Sequence, residues 1–132
     1  MSKKLVLWLV AIIIVILGVI WLAKLPEKPG KYDSFAACIK DSGTLFYGTF
    51  WCLNCQNQKA KFGSSAKILP YIECSTVDGK NQLPICAEAD ITGYPTWIFS
   101  DGTREMGDTS LERLSEITSC LLPTQTDSPT EE

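Results

Sequence analysis

Hydrophobic residues are unevenly spread along this chain. They fill one uninterrupted block near the start and then recur in short runs. The block, bounded by Leu5 and Ala23, is LVLWLVAIIIVILGVIWLA, 19 residues without a charge. As a helix it spans roughly 28 Å, about the thickness of a hydrocarbon core. A signal peptide has a shorter apolar region and a small-x-small cleavage site. Here the run ends GVIWLAK, and no cysteine follows closely enough for a lipoprotein signal. Residues 1–23 are therefore read as an uncleaved anchor in the lipid bilayer, with a cleaved signal as the alternative. Trp8 and Trp21 lie near its two ends, where interfacial aromatics are expected.

Beyond the anchor the pattern shortens. KLPEKPGK, residues 24–31, reads as a semi-rigid linker. YDSFAACIKDSG predicts a helix capped by Asp33 or Ser34, with Phe35, Cys38 and Ile39 on one face and Gly43 at its end. TLFYGTF predicts a buried strand, and CLNCQNQKAKFGSSA a helix with Lys59 and Lys61 on its solvent side. LPYIECS is a second strand. NQLPICAEADI is a short helix with Pro84 in its first turn. TWIFS and TREMG form a hairpin about Ser100-Asp101-Gly102. TSLERLSEITSCLL is a closing helix capped by Thr109 or Ser110, with Leu111, Leu114, Ile117 and Leu121 on one face. The acidic tail, residues 123–132, is expected to be disordered.

This order predicts an α/β fold with a mixed central sheet flanked by helices, preceded by one transmembrane helix. The first strands need crossovers and should run parallel, and the hairpin adds an antiparallel pair. The folded part, residues 32–122, is one small domain with a modest core.

Charge and cysteine content narrow the function. The domain carries seven Lys/Arg and eleven Asp/Glu, 7 − 11 = −4, with the positives scattered, so nothing suggests nucleic-acid binding. Six cysteines in a small domain suit an oxidising compartment, and the absence of histidine excludes Cys/His zinc fingers and Cys–His hydrolases. Lysines flank the apolar block on both sides, so the positive-inside count does not orient it. A short tail inside and a large domain outside the cytoplasm, at the periplasmic or external face, is the expected topology.

Cys52 and Cys55, in FWCLNCQNQKAKF, follow a strand and head a helix. Free backbone N–H groups and the positive helix end favour a thiolate on the first sulfur. Cys52 is thus the expected nucleophile and Cys55 the resolving thiol, with Trp51 shielding one side. Two other readings stand beside this one. Cys52, Cys55, Cys74 and Cys86 could ligate zinc, although a second CxxC is missing, or the pair could be a structural short-loop disulfide. No metal or organic cofactor is expected.

FYGTFWCLNCQNQKAKFG, then YIECS, then ITGYPTW, resembles the thioredoxin fold. More closely, it is similar to the thioredoxin-like domains fused to, or working with, bacterial vitamin K epoxide reductase homologues. The resemblance implies a cis peptide at Tyr94–Pro95 beside the CxxC, with Trp51, Tyr94, Pro95 and Thr96 forming the substrate groove. A proline there removes an N–H and leaves neighbouring backbone groups free to pair with an extended peptide. Read without the resemblance, Pro95 is a strand-start proline. The resemblance also implies two partners: reduced secreted or membrane protein thiols, and a quinone-linked membrane oxidase. Two departures matter. Phe46 stands where thioredoxins hold a buried acid, and Leu53-Asn54 replaces the Pro-His of related oxidising domains.

Cys74 and Cys86 bracket a polar loop and are expected to form a disulfide, as similar domains have cysteines at these places; it is read as structural, with a second redox relay as the alternative. Cys38 and Cys120 are either a second disulfide or two buried thiols. The first and last domain helices are expected on opposite faces of the sheet, which opposes their pairing. The function expected is a tethered thiol–disulfide oxidoreductase that donates disulfides. Its rivals are a tethered reductase or isomerase and a non-catalytic peptide-binding module.

Overall fold

A computed structural model describes residues 2–24 and 28–123. Expectations for residues 25–27 of the linker and 124–132 of the tail lie outside the described residues. Helix α1, Lys3–Ala23, starts at Ser2, whose hydroxyl accepts from the Leu5 N–H. It is the one helix among the described residues long and apolar enough to cross a membrane, with a mean hydropathy of 3.2. None of its side chains is buried.

The remaining elements are α2 (Asp33–Asp41), β1 (Leu45–Gly48), α3 (Leu53–Phe62), a 3₁₀ turn (Gly63–Ile68), β2 (Tyr71–Glu73), α4 (Pro84–Glu88), β3 (Thr96–Ile98), β4 (Arg104–Met106) and α5 (Leu111–Thr118). The sheet order is β2-β1-β3-β4. β1 and β2 are parallel, joined through α3, while β3 is antiparallel to both β1 and β4. This is the mixed sheet flanked by helices of a thioredoxin-like fold.

The strand period of two divides the sheet's faces. Phe46 and Trp97, paired across β1 and β3, stack at 4.3 Å between ring centroids. Phe35, Ala36 and Ile39 of α2, Phe62 of α3 and Leu114 of α5 pack around them. The opposite face carries Tyr47, Ile72 and Ile98, covered by Cys86 and Ala89 from α4 and its end. Buried Gln58 ties this arrangement together. Its Oε1 accepts from the Thr109 N–H at 2.7 Å and its Nε2 donates to the Thr109 carbonyl at 3.0 Å, fixing the approach to α5 against α3.

Several expectations are corrected. α2 and α5 share one face of the sheet, because Phe35, Ile39 and Leu114 all pack on the Phe46–Trp97 stack. Tyr32, not Asp33 or Ser34, takes the N-cap position of α2. Asp33 lies in the first turn, where the helix dipole favours a carboxylate, and accepts from the Gly30 N–H at 2.8 Å. Of the two expected caps of α5, Ser110 takes the position, accepting from the Arg113 N–H. That helix ends at Thr118, with Ser119 in the left-handed region, so Leu121 leaves the apolar face and is 90% exposed. Lys59 and Lys61 do not point into solvent: both are half-buried and both have partners.

Candidate active site

The strand β1 runs out at Gly48, and the chain turns through Thr49, Phe50 and Trp51 into α3. The turn is held by backbone and side-chain bonds. The Cys52 N–H donates to the Thr49 carbonyl at 3.2 Å, and Gln56 Nε2 donates to the Phe50 carbonyl at 2.9 Å. Cys52 is the N-cap of α3, and its sulfur accepts from the Cys55 N–H at 3.4 Å. A sulfur in that position meets one of the unpaired N–H groups of a helix start. Both cysteines carry free thiols; Cys52 is half-exposed and Cys55 buried.

Gly48 makes room for Cys55. A Cβ on that glycine would lie 2.9 Å from Cys55 Sγ and 2.9 Å from Tyr71 Cε2, so only a bare Cα fits between them. Burial pushes the Cys55 thiol up to about 12, with the neighbouring Cys52 sulfur adding to the rise. The Thr49 backbone bond and the Lys59 charge pull the other way. A thiol raised in this way is protonated at neutral pH, and only its thiolate fraction reacts. In a Cys52→Ala chain, where the burial persists, alkylation of Cys55 should climb about tenfold per pH unit past pH 9 without levelling. A plateau near pH 9 in a rate-against-pH series would show an ordinary thiol.

The other predicted site residues gather on two sides of the pair. The Tyr94–Pro95 bond is cis, and the Cys52 thiol donates to the Tyr94 carbonyl at 3.6 Å. Pro95 is fully buried. Thr96 is buried too; its hydroxyl donates to the Gly93 carbonyl at 2.8 Å, so it supports this loop and offers no exposed side chain. Trp51 is half-exposed. Its Nε1 donates to Ser75 Oγ at 3.0 Å and its ring meets Tyr94 edge-on at 6.1 Å. Between Trp51, Tyr94 and the 75–82 loop lies a cleft of about 200 Å³, with Cys74 in its wall. Phe50, Trp51, Leu53, Val77 and Met106 are all large, apolar and exposed.

Cys74 and Cys86 are joined in a disulfide, Cα–Cα 5.6 Å, which anchors the loop bordering the cleft. Cys38 and Cys120 are joined as well, Cα–Cα 5.8 Å, tying α2 to the end of α5. With Cys74 and Cys86 engaged with each other, the four-cysteine zinc reading has no ligand set. No group of three or more metal-ligating side chains stands together among the described residues.

Sequence reasoning missed Tyr71 and Glu73 of β2. Glu73 Oε2 accepts from the Tyr71 hydroxyl at 2.8 Å, while Oε1 accepts from the Ser75 N–H at 2.9 Å and the Phe50 N–H at 3.3 Å. One carboxylate therefore holds both the turn before the CxxC and the start of the loop beside it. Alternation along YIE was a signal available in the chain: Tyr71 and Glu73 fall on the same face of β2 as each other and stand opposite Phe46 and Gly48.

No family model matches the chain. Curated proteins similar to it include the following two. The thiol-disulfide oxidoreductase LTO1 of Arabidopsis thaliana is 39% identical over 89 residues, covering 64% of this chain and 23% of that protein. Protein disulfide isomerase-like 5-1 of Oryza sativa subsp. japonica is 28% identical over 97 residues, 66% of each. The chain thus spans about a quarter of the first relative's length and about two thirds of the second's. Together with the sheet topology, these likenesses support a thioredoxin-like domain.

Proposed function

We propose that this chain is a membrane-tethered thiol–disulfide oxidoreductase that donates a disulfide from Cys52–Cys55 to reduced secreted or membrane proteins. The observation that carries the reading is the placing of the two thiols. Cys52 stands half-exposed at the tip of α3 beside the Tyr94 carbonyl, and Cys55 is buried directly behind it. That geometry suits a sulfur attacked from outside and a partner sulfur that only its neighbour can reach. Both relatives are named for thiol–disulfide chemistry. The exposed apolar side chains that adjoin the pair, Phe50, Trp51 and Leu53, suit unfolded clients, which present apolar segments.

The direction proposed is oxidation of the client. Phe46, stacked on Trp97, occupies the place of a buried acid and leaves no carboxylate there to serve a thioredoxin-style reductant. The anchor, α1, would hold the domain outside the cytoplasm, where a quinone-linked oxidase of the vitamin K epoxide reductase type would recharge the pair. Equilibrating the full chain with glutathione buffers tests the direction. The expected potential lies between about −120 and −200 mV, in the range of disulfide donors and isomerases. A value near −270 mV would make the chain a reductant and reverse the electron flow.

A further inference from the structure

One face of α3 carries buried Cys55, Gln58 and Phe62 and half-buried Lys59, at the i, i+3, i+4, i+7 spacing. Three of these positions pack tightly, as a core stripe should. Lys59 is the anomaly: a lysine one turn below the resolving thiol, turned toward the sheet. Its Nζ sits 3.2 Å from the centroid of the Tyr71 ring. The Tyr71 hydroxyl in turn donates to Glu73 Oε2. The same ring flanks Gly48 opposite Cys55 Sγ. Ring, carboxylate, ammonium and thiol thus form one cluster under the first turns of α3.

We propose that Lys59 holds the negative charge that Cys55 acquires when the Cys52–Cys55 disulfide opens, and that Tyr71 and Glu73 are the positioning residues that keep its ammonium there. This rests on the reading of the pair as a disulfide donor. In the first step a client thiolate attacks Cys52 Sγ. A client–Cys52 disulfide forms, the Cys52–Cys55 bond breaks, and its electron pair stays on Cys55. A second client thiolate then attacks the client sulfur of that mixed disulfide, and the electron pair passes to Cys52. The client is oxidised to a disulfide, the pair is reduced to a dithiol, and the two client protons end on Cys52 and Cys55. The thiolate left on Cys55 after the first step sits in a buried place that penalises charge. A cation within reach offsets that penalty at this stage alone.

The ionisable groups that act on Cys55 are few. Cys52 raises it and Lys59 lowers it; Glu73 acts on Lys59 and on Tyr71, and Tyr71 and Cys55 also feel each other's charge directly. Burial lowers the Lys59 ammonium from its ordinary value, and Glu73 and then Cys55 oppose that fall without cancelling it. Tyr71 is pushed up by burial first and by its bond to Glu73 second, so it stays a neutral phenol. Lys59 is the cation of the group and Glu73 its anchor.

The test uses the full chain in detergent with Cys52→Ala, which leaves Cys55 as the free thiol among residues otherwise joined in disulfides. Alkylation of Cys55 by iodoacetamide is timed at fixed pH between 8 and 9.5, with Lys59 kept or replaced. Lys59→Met and Lys59→Gln should each slow it about tenfold, the effect of removing one nearby opposite charge. Lys59→Arg, which keeps the charge, should restore most of the rate. A merely structural lysine would not separate the neutral variants from Lys59→Arg. Unchanged rates in the folded neutral variants, or a Lys59→Arg rate as slow as theirs, would overturn the proposal. Disulfide transfer by the unsubstituted chain is followed alongside. Transfer with unchanged alkylation sinks the role of Lys59 alone; slowed alkylation without any transfer sinks the donor reading and leaves the charge pair standing.

Discussion

Replacing Cys52 by serine will reduce disulfide transfer to a reduced client to the uncatalysed background, and replacing Cys55 by serine will do so in a different way. The asymmetry follows from where the two sulfurs sit. Cys52 is half-exposed at the N-cap of α3 and its sulfur faces the Tyr94 carbonyl, so it is the atom a client meets. Without it, the remaining thiol is still buried, and burial, the largest cause of its rise, keeps it protonated at neutral pH. Nothing accessible is left to exchange. In Cys55→Ser the accessible sulfur survives but has lost the neighbour that releases it. A client–Cys52 mixed disulfide should then accumulate, resolved only by added thiol. Non-reducing gels of the full chain read the first result after incubation with a reduced client and the second after incubation with an oxidised one. Wild-type transfer persisting in Cys52→Ser would replace the enzyme by a peptide-binding module. Absence of any adduct in Cys55→Ser would exchange the roles of the two sulfurs.

The elements that bring these sulfurs together were largely legible in the chain. A strand, a CxxC and a helix are local features, and alternation and capping register them within a few residues. The hairpin β3–β4 and the apolar face Leu111, Leu114, Ile117 were legible for the same reason. The polar residues of α3 were not. Gln58 and Lys59 look like solvent positions because a sequence pattern sorts polar side chains outward. Both turn inward, since their partners arrive from far along the chain: Thr109 for Gln58, Tyr71 and Glu73 for Lys59. A buried polar side chain is tolerable only with such partners, and no local pattern announces them. The same limit explains the misplaced pair of helices. Whether α2 and α5 share a face depends on how Phe35, Ile39 and Leu114 share the Phe46–Trp97 stack, a three-body packing choice with no periodic signature.

That shared face leads to the second large effect. With α2 and α5 on one side of the sheet, the Cys38–Cys120 bond closes a loop of sequence separation 82, almost the whole domain. Cross-linking residues so far apart removes much of the unfolded chain's freedom. The chain-entropy relation gives about 4.5 kcal/mol for a loop of that length. The Cys74–Cys86 bond spans a separation of only 12, and the same relation gives about 3 kcal/mol. The domain is small and its core modest, so the longer loop should dominate its stability. Cys38→Ala/Cys120→Ala should lower the melting temperature of the domain by about 20 °C or more, using the usual conversion for a domain of this size. Cys74→Ala/Cys86→Ala should lower it less, yet disturb the cleft more, because the loop it anchors lies against Trp51 and Phe50. Calorimetry of the full chain in detergent gives the first comparison. The rate of disulfide transfer well below both melting points gives the second. A drop of only a few degrees for the Cys38/Cys120 variant would mean that the two sulfurs contribute packing and no cross-link. Equal transfer rates in the two double variants would mean that the 75–82 loop has no part in receiving the client.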